Sequence, residues 1–162
     1  APTGVNHRGL IFHVIDDKAV MQQFRETTYR RMAKAPPADP AAGWLDLPQT
    51  AADYLERGAD LTFRGAPHAL VISAAPDAPC GQEDVTLALA YFELLACCAG
   101  LGTVWCGLMK MVLEALPELK PLIGLAADHR YYAMLFGYPA VRYARTVQRD
   151  DAATVHRVTL TH

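Results

Sequence analysis

The chain has 162 residues, of which about half are apolar and a fifth are charged, and its formal net charge is −2. This composition is typical of one globular domain and excludes a disordered or fibrous chain. The small net charge, without runs of like charge, argues against a nucleic-acid or acidic-membrane partner.

Residues 10–32 predict a strand followed by a helix. Leu10–Ile15 is a short β-prone run, and Asp16 and Asp17 after it can cap a helix. The pattern over Lys18–Met32 is weakly amphipathic, so we expect a helix there.

Residues 35–74 predict a loop, a short helix and a buried strand. Prolines make residues 35–43 too irregular for helix or strand. Thr50 is expected to cap a helix over residues 51–56 that ends at Gly58. The mostly apolar run His68–Ala74 is bracketed by prolines and predicts a buried strand.

Residues 85–99 predict a long helix that is apolar almost all round, with Glu83 and Asp84 at its positive end. Such a helix is expected at the centre of a fold or in a subunit interface. Residues 85–109 are long enough to cross a membrane, but Glu93 and the Gly100-Leu101-Gly102 break argue against a span.

The last part of the chain predicts a strand over residues 103–106, a helix over 108–116, a further helix starting at Pro117 and a strand over 130–136. The tail from residue 151 is β-prone but isolated. Strands separated by helices of unequal length suggest an α+β sandwich instead of a regular βαβ winding.

The four cysteines show no CxxC spacing and no accompanying histidine ligands. We therefore expect reduced thiols, no metal site and a cytoplasmic protein without a secretory signal. Ala1 stands where an initiator methionine is expected. Either the methionine was removed, or the chain is a fragment of a longer polypeptide.

Three segments could carry chemistry. The first is the octet, residues 1–8 (Ala-Pro-Thr-Gly-Val-Asn-His-Arg), which cannot be helical for long and offers backbone groups together with the amide of Asn6. The second, residues 100–107 (Gly-Leu-Gly-Thr-Val-Trp-Cys-Gly), contains glycines that let a backbone come close to a flat ligand. The third is the turn Gly137-Tyr138-Pro139 followed by arginines that could hold a phosphate: Arg142, Arg145 and Arg149.

Together, in this order and spacing, the three segments resemble the nitroreductase family of FMN-dependent oxidoreductases. The octet resembles the family's Ala-Pro-Ser-x-x-Asn-x-Gln stretch, with Thr3 at the serine position and Arg8 at the glutamine position. The form with Gly-Leu-Gly-Thr-x-Trp is most like nitroreductases fused to a ferredoxin-like domain. The resemblance covers residues 1–17 and about 66–149, and residues 18–65 lie where the family varies most.

The resemblance implies a fold and a cofactor site. Residues 1–162 are expected to form a single FMN-binding domain, a three-layer sandwich with a mixed, mainly antiparallel sheet, truncated so that the family's N-terminal helix is absent. The implied flavin contacts come from ten residues: Pro2, Thr3, Asn6, Arg8, Val104, Trp105, Cys106, Gly107, Arg142 and Arg145. A backbone N–H of Cys106 or Gly107 is expected to face flavin N5, and Arg145 is the first choice for the phosphate.

The resemblance also implies a function. NAD(P)H or a reduced ferredoxin is the expected electron donor, nitroaromatics or quinones are the expected acceptors, and the protein is expected to be a homodimer with no catalytic side chain. Two alternatives stay open. The chain could bind flavin or only dimerise without catalysing a reaction, or it could dehalogenate or fragment a flavin as some relatives do.

Overall fold

The computed structural model describes residues 1–36, 45–141, 143–144 and 153–158. Its strands are β1 (Leu10–Ile15), β2 (His68–Ala74), β3 (Gly102–Trp105) and β4 (Arg130–Gly137). Its α-helices are α1 (Lys18–Met32), α2 (Leu47–Arg57), α3 (Gly81–Cys98) and α4 (Gly107–Ala115), and 3-10 helices cover Gly4–Asn6 and Pro117–Ile123. No helix in these described ranges is long and apolar enough to cross a bilayer.

The four strands form one antiparallel sheet in the order β1-β2-β4-β3. Strand β2 is buried on both faces because helices cover both sides of the sheet. Its even-numbered side chains pack against α3, and Ala69 and Val71 pack against α1, α2 and α4. The predicted α+β three-layer sandwich is confirmed.

Local signals at the chain's turns explain most of the helix ends. Asp17 caps α1 as predicted, since its carboxylate accepts hydrogen bonds from the N–H groups of Ala19 and Val20. Gly58 ends α2 in the left-handed conformation, also as predicted.

Helix α2 begins earlier than predicted. Asp46 is its cap and accepts from the N–H of Gln49, and Pro48 lies in the first turn. Thr50 therefore lies inside the helix, where its hydroxyl donates to the Asp46 carbonyl. The prediction that Thr50 caps the helix was wrong because Asp46 offers a stronger cap one turn earlier.

Helix α3 has two different faces, although its sequence is apolar nearly all round. One face packs on the sheet through Val85, Ala88 and Leu89. The opposite face leaves four large side chains 43–68% exposed in the single chain: Leu87, Tyr91, Leu94 and Leu95. Their spacing of four, three and one residues places them on one side of the helix.

Candidate functional site

The octet folds into a strained turn. Val5, Asn6 and Arg8 have φ angles of 47°, 57° and 57°, in the left-handed region that side chains other than glycine rarely adopt. The hydroxyl of Thr3 fixes the end of this turn by accepting from the Arg8 N–H at 3.0 Å. Strain of this kind costs about 1–3 kcal/mol per residue and persists where neighbouring contacts impose it.

Helix α3 anchors the octet through its first turn. The Gly4 N–H donates to Oδ1 of Asp84 at 2.7 Å, and Asp84 is buried. A Cβ on Gly4 would lie 2.4 Å from the Cys80 Sγ, so the octet packs on α3 at a distance that only glycine permits. The octet is therefore fixed to the N-terminal end of α3.

Asn6 and Arg8, two of the predicted flavin contacts, lie together on the exposed side of the octet. The Arg8 Nε donates to Oδ1 of Asn6 at 2.8 Å. This hydrogen bond leaves the Asn6 amide nitrogen and the terminal guanidinium nitrogens as outward donors. Pro2 is also exposed, whereas Thr3 is half-buried.

The segment from β3 to α4 places its side chains on alternate faces of the sheet. The Trp105 indole N–H donates to Oε2 of Glu93 at 2.9 Å, and so Trp105 lies on the α3 side. Val104 points to the opposite face and is 39% exposed. Of these two predicted contacts, Val104 is the one whose side chain is open to a ligand.

Both the backbone N–H and the thiol of Cys106 make hydrogen bonds within the fold. Its N–H donates to the Ala133 carbonyl at 2.9 Å, and its thiol donates to the Thr62 carbonyl. Burial raises the pKa of the thiol, so Cys106 is not an activated nucleophile. Of the two N–H groups expected to face flavin N5, that of Cys106 is therefore already used.

Gly107 is the first residue of α4, where backbone N–H groups have no partner within the helix. A Cβ at this position would lie 3.2 Å from the Tyr132 hydroxyl, which leaves little room for a side chain. Within the described part of the chain the Gly107 N–H has no hydrogen-bond partner, so it is available at the positive end of a nine-residue helix.

A cavity of about 330 Å³ opens beside the start of β3 and the end of β4. Its walls come from three segments of the chain. They are residues 64–67, residues 102–104 and residues 135–140, which include the predicted Gly137-Tyr138-Pro139 turn. The first segment, with Arg64, was not identified from the sequence, although the Gly65-Ala66-Pro67 breakers before β2 mark a turn there.

The loop that carries Arg64 is fixed by a buried polar cluster around Asp60. The Asp60 carboxylate accepts from the Tyr29 hydroxyl at 2.7 Å and from the N–H groups of Phe63 and Gly65. Arg25 completes the cluster, with its Nε 2.8 Å from Asp60 Oδ2 as an ion pair whose angle does not make a hydrogen bond. Both charged side chains are about nine-tenths buried.

The octet and the cavity lie at opposite ends of α3. Gly4 contacts the first turn of this helix, whereas the cavity borders Gly102, which follows the helix C-terminus. Eighteen helical residues span about 27 Å. One chain therefore does not bring its own octet against its own cavity.

Some predicted residues lie outside those that the structure describes. They are the arginines expected to hold the phosphate: Arg142, Arg145 and Arg149. In the segment where the family varies, the aromatic residues Trp44, Tyr54 and Phe63 are the sequence's candidates for an acceptor pocket, and Trp44 also lies outside the described residues. The other two pack internally. Tyr54 stacks on Tyr29 with ring centres 4.0 Å apart, and Phe63 is buried in the core.

Comparison with protein families gives a match to the model described as the Nitroreductase family over residues 1–138. Among curated proteins no significant match is found.

Several solved structures share the fold. A nitroreductase of Bacteroides fragilis with bound FMN is 16% identical, covering 97% of this chain and 81% of that chain, with a TM-score of 0.71. An FMN-dependent nitroreductase of Mycobacterium smegmatis, in complex with NADPH, is 18% identical over 91% and 79%, with a TM-score of 0.58. An iodotyrosine deiodinase bound to FMN and 3-iodo-L-tyrosine is 21% identical over 96% and 82%, with a TM-score of 0.54.

Proposed function

Because its residues 1–138 match the family model, the chain belongs to the nitroreductase family, and we propose that it is an FMN-dependent oxidoreductase. Bound FMN would supply the redox chemistry by accepting two electrons from a donor and passing them to an acceptor. The protein's part is to hold the ring, direct hydrogen bonds to it and place charge beside it.

One arrangement carries this proposal: the edge strand β3 leads directly into the start of α4 beside the cavity. Val104 presents an open apolar face, and Gly107, at the positive end of a helix, presents an N–H without a partner among the described residues. A flat ring laid along this segment would receive a hydrogen bond from Gly107. Buried Cys106 supports the turn from behind through Thr62 and Ala133.

We propose further that each site is built by two chains. The octet holds Asn6 and Arg8 as outward donors, but it lies about 27 Å along α3 from the cavity of its own chain. A homodimer in which the two copies are reversed end for end would bring the octet of one copy to the cavity of the other. The exposed apolar face of α3 supports such an assembly, since a solvated helix rarely exposes four large apolar side chains on one side.

We also propose an electron donor and an acceptor. NAD(P)H is our first choice of donor, and the NADPH complex of the Mycobacterium smegmatis relative supports it. A reduced iron–sulfur partner is the second choice. Nitroaromatic or quinone-like molecules are the proposed acceptors, and Arg142 and Arg145 are proposed to hold the FMN phosphate.

The test is the visible absorption spectrum of the purified protein after gel filtration, with and without added FMN. Retained flavin bands that bleach when NADPH or NADH is added under nitrogen, and return when a quinone is added, would support the proposal. Retained bands that no donor bleaches would favour a flavin-binding domain without activity. A protein that retains no FMN would refute the proposal.

The Arg145→Ala variant tests the phosphate assignment in the same assay. It should lose FMN on gel filtration but keep its affinity for riboflavin, which has no phosphate. Arg157→Ala, in the described part of the tail, is the matched control and should retain FMN.

A further inference from the structure

Arg64 has a backbone conformation that the surrounding structure must impose. Its φ angle is 53°, and Gly65 follows with a φ angle of 69°. An arginine gains nothing from the left-handed region, whereas glycine adopts it freely. Two consecutive left-handed residues therefore turn the chain sharply at this position and direct Arg64 away from the core, where it is exposed.

The cluster around Asp60 supplies this constraint. The carboxylate accepts from the N–H groups on both sides of Arg64, at 2.9 Å from Phe63 and 2.8 Å from Gly65. Arg25 holds the other end of the loop, because its guanidinium donates to the Ala66 carbonyl and pairs with Asp60. Arg64 therefore lies on a turn that these hydrogen bonds and the ion pair hold rigid.

The charge of Arg64 is free to act on a ligand. In the described part of the chain no carboxylate lies within ion-pair distance of its guanidinium. Arg64 lines the cavity together with residues 102–104, the start of the proposed ring-binding segment.

The reach of this charge extends to the start of α4. Burial raises the pKa of the Cys106 thiol, and the Met109 N–H and the positive charge of Arg64 act in the opposite direction. Cys106 immediately precedes Gly107, whose N–H is proposed to contact the ring. The guanidinium and the positive end of α4 therefore act on the same region.

We propose that Arg64 is the cation that stabilises the reduced flavin ring in this cavity, an inference that rests on the proposed function. A hydride from a nicotinamide would bring two electrons and one proton, so a bound ring would gain one negative charge, mainly at its N1 and C2-oxygen edge. The donor is left as the oxidised nicotinamide cation. A fixed guanidinium beside the ring favours the charged, reduced form over the neutral, oxidised form.

Arg64 could instead bind one of two other anions, and each alternative predicts a different effect of removing the arginine. If Arg64 bound the FMN phosphate, its loss would weaken FMN binding but not riboflavin binding. If it bound a carboxylate of the acceptor, its loss would raise the KM for carboxylated acceptors and leave the flavin unchanged. If it stabilises the reduced ring, its loss lowers the reduction potential of bound FMN and bound riboflavin alike.

The experiment compares the wild type with the variants Arg64→Gln and Arg64→Lys, and with Arg57→Gln as a control that removes an exposed arginine of α2. Dissociation constants for FMN and riboflavin are measured by fluorescence titration, and the midpoint potential is measured by dye-equilibrated spectral titration. We expect Arg64→Gln to weaken binding of the reduced flavin about tenfold relative to the oxidised flavin, which corresponds to a drop of about 30 mV. Arg64→Lys should restore most of this difference.

An unchanged potential in Arg64→Gln would overturn the inference, as would a loss of FMN affinity without a loss of riboflavin affinity. An equal drop of the midpoint potential in Arg57→Gln would also overturn the inference, because the change would then follow from the protein's net charge and not from the position of Arg64. If the wild type bound no FMN, the proposed function itself would fail. The absorption spectrum of the wild type separates that case from a failure that concerns Arg64 alone.

Discussion

Replacing Tyr29 by phenylalanine should destabilise the fold although it removes only one oxygen atom. The Tyr29 hydroxyl is buried, donates to Asp60 at 2.7 Å and accepts from the Thr62 N–H at 3.0 Å. The variant loses a hydrogen bond to a charged group, about 1.5–3 kcal/mol, and leaves the buried Thr62 N–H without a partner, about 1–3 kcal/mol. Since the two costs overlap, we expect the free energy of unfolding to fall by about 3 kcal/mol.

Tyr54→Phe is the matched control. The ring of Tyr54 stacks on that of Tyr29, but among the described residues its hydroxyl has a single partner, Gln22, which donates to it at 3.3 Å on the surface. Loss of the Tyr54 hydroxyl should lower the free energy of unfolding by less than about 0.5 kcal/mol. Urea unfolding followed by circular dichroism, at one protein concentration, gives both values.

For a chain of this length the Tyr29 variant should also melt roughly 6–12 °C lower. Equal stability of the two variants would refute the view that Asp60, Tyr29 and Thr62 form a constraining cluster. It would also mean that this cluster does not hold the turn carrying Arg64 rigid.

Three further predictions concern the interface, the pH dependence and the octet. Leu94→Glu, on the exposed face of α3, should give a folded monomer that retains little FMN, as measured by analytical ultracentrifugation and absorption. Burial, more than the charge of His129, lowers the pKa of His13, which hydrogen-bonds the buried Ser73 hydroxyl at 2.9 Å. Below about pH 6.5 the unfolded chain binds a proton that the folded chain resists, so the free energy of unfolding should fall as the pH drops from 7.5 to 5.5, and less so in His13→Gln. Gly4→Ala should weaken FMN binding at least tenfold in a fluorescence titration, because its Cβ meets Cys80 and displaces the octet.

Each of these predictions has its own control. Leu55→Glu, at an exposed leucine on α2, should stay dimeric, and a dimeric Leu94→Glu would exclude α3 from the interface. An identical pH slope in His13→Gln and the wild type would show that His13 does not cause it. Adding Cys80→Gly to the Gly4→Ala variant should restore FMN binding. The Cβ of Ala at position 4 then no longer meets a side chain at position 80, and a helix cap tolerates glycine.

Much of the fold could be predicted from the sequence because its turns are marked by unambiguous residues. Strands β1 and β2 begin and end as predicted, since aspartates follow the first and prolines bracket the second. Helix α3 begins four residues earlier than predicted, because the chain turns at residues 75–80 and Gly81 already packs on the sheet. Single-residue signals therefore located the elements, and packing set their ends.

The candidate site was less predictable than the fold. Motifs pointed to the octet and to residues 100–107, but no pattern shows that the Cys106 N–H is used by Ala133. Arg64 was missed because it stands in the segment where the family varies, beside an ordinary turn sequence. Its backbone conformation depends on Asp60, a near neighbour in the sequence, and on Arg25, which only the folded chain brings to Asp60.

If each site is built by two chains, as proposed, the distance along α3 between the octet and the cavity would make two classes of inactivating mutation complementary. In a dimer with shared sites, a subunit with a defective octet damages the site in its partner's cavity, whereas a subunit with a defective cavity damages its own. A mixed dimer of the two then concentrates both lesions in one site and leaves the other intact. Two mutant genes that each encode an inactive protein should then restore activity when they are expressed together. The mixed dimer would have up to half the activity of the normal dimer.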